Sequence, residues 1–129
     1  MARPATGRPT DFELEILKVL WTQGPSTVRE VMEEMSRSRA VGYTTALKML
    51  QIMDEKGLVA CDKRERIHVY RARQSYRSVA KRLAGDLLER VYEGSAHQLM
   101  LHALENKKLK PEELGELRKL LDEIERRGT

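Results

Sequence analysis

Cysteine is nearly absent. Cys61 stands alone in 129 residues, which excludes an intrachain disulfide and any thiol cluster for zinc or copper. Aromatics are scarce at 5% of the chain, which leans toward helices with thin cores that finish their burial by oligomerising. No apolar run approaches the roughly 20 residues a membrane helix needs. The opening MARPATGRPT carries two arginines and two prolines but no apolar segment behind them, so it is expected to be a disordered arm over residues 1–9, not a signal peptide. A reducing, cytoplasmic setting without membrane insertion follows. Catalytic signatures are missing too: there is no glycine-rich phosphate loop, no H-E-x-x-H, and no nucleophile with a base at motif spacing. His97 and His102 are five apart, which is not the spacing of a helical metal pair. Neither an enzyme nor a cofactor is expected.

What remains is a charged, helical composition. Charged residues make up 34% and hydrophobic residues 40%, with a net charge of +4. The excess lies in the first part: residues 1–75 hold 13 Lys and Arg against 10 Asp and Glu, and residues 76–129 hold 11 against 10. This mild basicity permits nucleic-acid binding without requiring it.

Two capping boxes set the first helices. Thr10 with Glu13 opens one that should run to about Gln23, with Leu14, Leu17, Leu20 and Trp21 inward, helped by Ile16. Gly24-Pro25 breaks it. Thr27 with Glu30 opens a short second helix with Val28, Val31, Met32 and Met35 inward, ending near Ser36. A third helix follows from about Tyr43 to Lys56. Its apolar positions Ala46, Met49, Leu50 and Met53 leave Thr44, Lys48 and Gln51 on another face. Lys56-Gly57 stops it, since glycine takes the left-handed cap readily.

After Gly57 the period changes from helix to strand. Leu58–Cys61 predicts one strand, Asp62–Arg66 a charged turn and Ile67–Tyr70 the returning strand. Three helices and a hairpin in this order form a winged helix, in which the third helix enters the DNA major groove and the wing meets phosphates. The candidate DNA-binding residues are Tyr43, Thr44, Thr45, Lys48 and Gln51 on the helix, with Lys63, Arg64 and Arg66 on the wing. The alternative role of the two threonines is capping their own helix. Arg3 and Arg8 are candidates for a minor-groove arm.

From Ser75 onward the pattern is helical again. One helix carries Val79, Leu83, Leu87, Leu88 and Val91, a second Ala96, Leu99, Met100, Ala103 and Leu104, and a third, opened by Pro111, carries Leu114, Leu117, Leu120, Leu121 and Ile124. Three helices of this size hardly cover their own apolar stripes, so a homodimer is expected, with Leu83, Leu87, Val91, Leu99, Leu104, Leu117, Leu120, Leu121 and Ile124 at its interface. The expected fold class is mainly α with a small β-hairpin. Residues 10–74 form an N-terminal winged helix-turn-helix and residues 75–129 a C-terminal three-helix dimerisation region.

The ordered set Leu20-Trp21, Gly24-Pro25, Thr27-Val28-Arg29-Glu30-Val31, Tyr43-Thr44-Thr45 and Glu55-Lys56-Gly57-Leu58-Val59 resembles the BlaI/MecI/CopY penicillinase-repressor family of winged-helix regulators. The tract from Val91-Tyr92 through Leu114, Leu117 and Leu121 is similar to that family's dimerisation region. The resemblance implies a dimeric transcriptional repressor on a dyad DNA operator, with a membrane sensor metallopeptidase as partner and release by cleavage in the C-terminal region. The bond cut in the staphylococcal members is Asn-Phe; the matching positions here are His102-Ala103. Lys48 stands where many members have threonine, and Ile52 where many have arginine. Two other functions fit the residues: a winged-helix regulator released by a small ligand, and a winged-helix protein-interaction module that does not bind DNA.

Overall fold

A computed structural model describes residues 8–128; Arg3 and most of the expected N-terminal arm lie outside the described residues. Helix α1 (Asp11–Gln23) begins where its capping box dictates: the Thr10 hydroxyl accepts from the Glu13 amide at 3.1 Å, and the Glu13 carboxylate accepts from the Thr10 amide at 2.9 Å. Thr27 and Glu30 make the same reciprocal pair at the start of α2 (Val28–Met35). Helix α3 (Tyr43–Lys56) ends on Gly57, whose φ of 82° is left-handed, and the Leu58 amide then reaches back to the Met53 carbonyl at 2.9 Å. This is the cap geometry that glycine alone adopts without steric cost.

The sheet has one strand more than the sequence predicts. Strands β1 (Ser26–Thr27), β2 (Val59–Asp62) and β3 (Val69–Ala72) are antiparallel in the order β1-β3-β2. Ser26 lies opposite Tyr70 and Thr27 opposite Val69, while Asp62 also faces Val69 from the other side. Two residues are too few to show an alternation of polarity, so β1 leaves no periodic signal. The returning strand also starts at Val69, not at Ile67. Asp62 explains the shift: its carboxylate accepts from the Arg64 amide at 3.0 Å, closing an Asx turn that ends β2. Ile67 is thereby left unpaired and 64% exposed. The wing is the loop 63–68.

The core forms where α1, α2, α3 and the sheet meet. Ile16, Leu17, Leu20, Val31, Ala46, Leu50, Met53 and Val59 are buried; Leu14, Trp21, Met32 and Met49, expected inward, are only half-buried. Cys61 is a half-buried strand residue opposite Tyr70. Burial, then the hydrogen bond with Cys61, pushes the Tyr70 phenol up to about 12, so it remains neutral. Ile16 is central to the core rather than auxiliary. The unexpected member is Glu13, which is 1% exposed. Its carboxylate accepts from Lys56 Nζ at 2.7 Å, tying the first turn of α1 to the last turn of α3. Glu13 precedes Ile16, Leu17 and Leu20 by three, four and seven residues, so its burial was written in the stripe it shares with them.

The chain divides into two compact units, one running to Gly85 and the other from Asp86. The division falls inside α4 (Tyr76–Arg90). In the first unit, Trp21 Nε1 donates to the Gln74 carbonyl at 2.9 Å and its ring meets Tyr76 edge-on at 5.4 Å, with Val79 buried. The second unit holds α5 (Ala96–Leu104), capped by Ser95, and α6 (Pro111–Arg126), opened by its proline. Neither helix has a buried residue. The molecule is mainly α, a winged helix followed by amphipathic helices, and no helix among the described residues is long and apolar enough to cross a membrane.

Burial pushes the Glu13 carboxyl up, but the hydrogen bonds from Lys56 and the Thr10 amide, with the lysine charge, outweigh it and hold the group below its ordinary 4.5. A carboxyl lowered in the folded state contributes stability above its unfolded value and loses it as pH falls through the folded one. Glu13→Gln is therefore expected to reduce the unfolding free energy at pH 7 by about 2 kcal/mol and to flatten the decline of stability below about pH 4.5. Urea unfolding at a series of pH values measures both, and an acid limb identical to that of the wild type would assign the acid sensitivity to another group.

Candidate nucleic-acid interface

Helix α3 is held at both ends by α1. Lys56 meets Glu13 at its C-terminal end, and the connection before its N-terminus is fixed by Arg39, which donates to Glu15 at 2.8 Å and lies 4.9 Å over the Phe12 ring. Within that connection, the Ser36 hydroxyl donates to the Val41 carbonyl at 3.1 Å. Burial of Ala46, Leu50 and Met53 then fixes the rotation of the helix. Thr44, Lys48 and Gln51, related by four and three residues, share its outer stripe and are exposed, as are Tyr43 and Thr45. The helix starts on Gly42 with no side-chain cap, so the two threonines do not serve as its N-cap. Ile52 is half-buried.

The wing residues Lys63, Arg64 and Arg66 are all exposed, but they are not equivalent. The Arg64 guanidinium grips Asp62 with three contacts, the shortest 2.8 Å from Nη2. The hydrogen bonds from the Arg64 side chain and amide hold the Asp62 carboxyl at about 2. Arg64 thus closes the turn of the wing. Arg66 instead faces a groove of about 460 Å³ that it shares with Tyr43 and Leu47 of α3 and with Arg29 of α2. Arg29 and His68, which also line this groove, were not singled out by sequence. The signal that places them is the pairing of Thr27 with Val69, which sets the start of α2 beside the end of the wing.

The C-terminal residues take a different position. Leu83 is half-buried in the first unit. In the second unit Leu87, Val91, Leu120 and Leu121 are exposed, and Leu99, Leu104, Leu117 and Ile124 half-buried. His102 and Ala103 are exposed near the end of α5, where His102 Nδ1 lies 3.2 Å from the Tyr92 hydroxyl.

A family model described as penicillinase repressor matches residues 9–123. The penicillinase repressor of Bacillus licheniformis is 30% identical over 118 residues, covering 92% of this chain and 92% of that one. The transcriptional regulator BlaI of Mycobacterium tuberculosis is 31% identical over 117 residues, covering 89% and 83%. Among solved structures, the DNA binding domain of the repressor BlaI matches with a TM-score of 0.50 at 28% identity, covering 59% of this chain and 90% of that chain. The match of sequence along nearly the whole length, with the winged-helix architecture of the first unit, means that this chain belongs to the penicillinase-repressor (BlaI/MecI) family.

Proposed function

We propose that this chain is a repressor that binds a dyad DNA operator as a homodimer and is released when a partner sensor metallopeptidase leads to its cleavage. The coarse part follows from the family: the chain is a DNA-binding transcriptional repressor, not an enzyme. What supports the finer part is the polar stripe of α3, exposed beside the wing while its opposite face is buried. Tyr43, Thr44, Thr45, Lys48 and Gln51 supply short hydroxyls, an amide and a cation that reach base edges and phosphates; Lys63, Arg64 and Arg66 supply the wing. Thr44 and Lys48 are one turn apart on the same face of α3.

The second copy is supported by the uncovered α5 and α6. Two helices without a buried residue leave Leu101, Leu114, Leu120 and Leu121 exposed and their other leucines half-buried, and apolar side chains gain about 1.5–3 kcal/mol each on full burial. Leu83, Leu87, Val91, Leu99, Leu104, Leu117, Leu120, Leu121 and Ile124 are the proposed interface. Cleavage is supported by the exposure of His102 and Ala103, although their helical turn must open before a protease can extend the backbone. Release by a small ligand has weaker support. The apolar cavity between α1 and α4, lined by Leu14, Trp21 and Val79, holds about 260 Å³, below the roughly 300 Å³ at which ligand sites begin.

Footprinting of the full-length protein on the DNA upstream of its own gene is expected to show two protected half-sites about 10 base pairs apart, or a multiple of that, and Thr44→Ala is expected to lose them. Protection without sequence preference would contradict the repressor function. For the dimer, sedimentation should give two copies for the wild type and one for the double substitution Leu120→Asp, Leu121→Asp; a dimer in both would remove α6 from the interface. Intact-mass measurement after induction should find a fragment ending at His102, and a full-length chain throughout would rule out the cleavage.

A further inference from the structure

Four cations of the first unit are engaged within the chain. Arg37, Arg39, Lys56 and Arg64 are each neutralised by a carboxylate of the chain itself, on Glu34, Glu15, Glu13 and Asp62. Arg29 and Arg66, like Lys48 and Lys63, have no ion pair among the described residues, and of these Arg29 and Arg66 line the groove between α2, α3 and the wing. No Asp or Glu lines that groove. Glu30, beside Arg29 in sequence, is engaged in its capping box with the Thr27 amide, and Glu65, beside Arg66, does not line the groove. The floor is apolar, made by Val28, Leu47 and the buried Tyr70, and the exposed Tyr43 stands at the rim.

Two uncompensated guanidiniums around one concavity repel each other unless an anion lies between them. Arginine's planar fork is suited to phosphate, which it binds through paired N–H donors. The position beside the outer stripe of α3 identifies the source of the phosphate as the nucleic-acid backbone. We infer that this groove seats a DNA backbone phosphodiester, gripped by Arg29 from α2 and Arg66 from the wing. The inference rests on the repressor function and adds to it a contact from α2. Arg64, committed to Asp62, shapes the wing and contributes less. The pairing of Thr27 with Val69 gives β1 its purpose, since that short strand sets the distance between the two arginines.

The test uses the full-length protein with two duplexes of equal length, one carrying the footprinted upstream site and one with its bases scrambled, each titrated at salt concentrations from about 50 to 200 mM. Arg29→Gln and Arg66→Gln should each lower the slope of log affinity against log salt by about one. Each should weaken both duplexes by the same factor, about fivefold at 0.15 M salt. Arg29→Lys should recover most of the slope, and thermal unfolding should show the variants folded. Thr44→Ala should weaken the specific duplex alone. A wild-type slope in folded Arg29→Gln overturns the inference while leaving the repressor function intact. Equal wild-type affinity for both duplexes, with the slope still falling in Arg29→Gln, supports the phosphate seat and refutes the repressor function; absence of binding to either duplex overturns both.

Discussion

The ion pair between Glu13 and Lys56, 2.7 Å long with its carboxylate 1% exposed, is the constraint on which the placement of α3 depends. A carboxylate removed from water is costly unless every oxygen finds a donor, so such a pair selects one arrangement of its two helices more than it adds net stability. Both charges stand at helix ends that suit them, the anion in the first turn of α1 and the cation in the last turn of α3. Two residues along, Glu15 holds Arg39 ahead of α3. The first turns of α1 therefore bracket α3 from both ends, and the apolar stripe of Ala46, Leu50 and Met53 sets its rotation. What the helix presents outward is decided from behind.

The wing follows a similar logic on a smaller scale. Asp62 ends β2 by capturing the amide of Arg64 and then its guanidinium, spending one wing cation on the shape of the turn. That leaves Arg66 open to the groove it shares with Arg29. Charge counting along the sequence treats these arginines alike, whereas the fold assigns one to architecture and one to a free surface. The second unit shows the opposite economy: Leu87, Val91, Leu120 and Leu121 stay exposed, and this is the surface that the proposed second copy would cover.

Much of this was legible in the residues. Each capping box lies where its four-residue pattern places it, Gly57 stops α3 with a left-handed cap, and Pro111 starts α6, because these signals depend on a few neighbouring residues and not on the rest of the fold. The features that escaped depend on contacts distant in sequence. Strand β1 has two residues and exists through its pairing with β3; the late start of β3 depends on Asp62 closing its turn; Arg29 gains its importance from the wing about forty residues later. Glu13 is intermediate. Its spacing from Ile16, Leu17 and Leu20 places it on their stripe, but from sequence it was assigned only the capping role, which concealed that it serves two partners at once. The outer residues of α3 were identified from their face, while the inequality of Arg64 and Arg66 required the structure.

In the proposed function, two copies, each presenting α3 from a fixed frame, read two half-sites together. Joint binding gains affinity through effective concentration only when both sites are reachable at once. The most direct measurement compares the affinity of the full-length protein for its dyad site with that for the same site carrying five extra base pairs between the halves, which turns them to opposite faces of the duplex. The account predicts that affinity falls to the level of an isolated half-site, with one half engaged at a time. An unchanged affinity across the two spacings would contradict it.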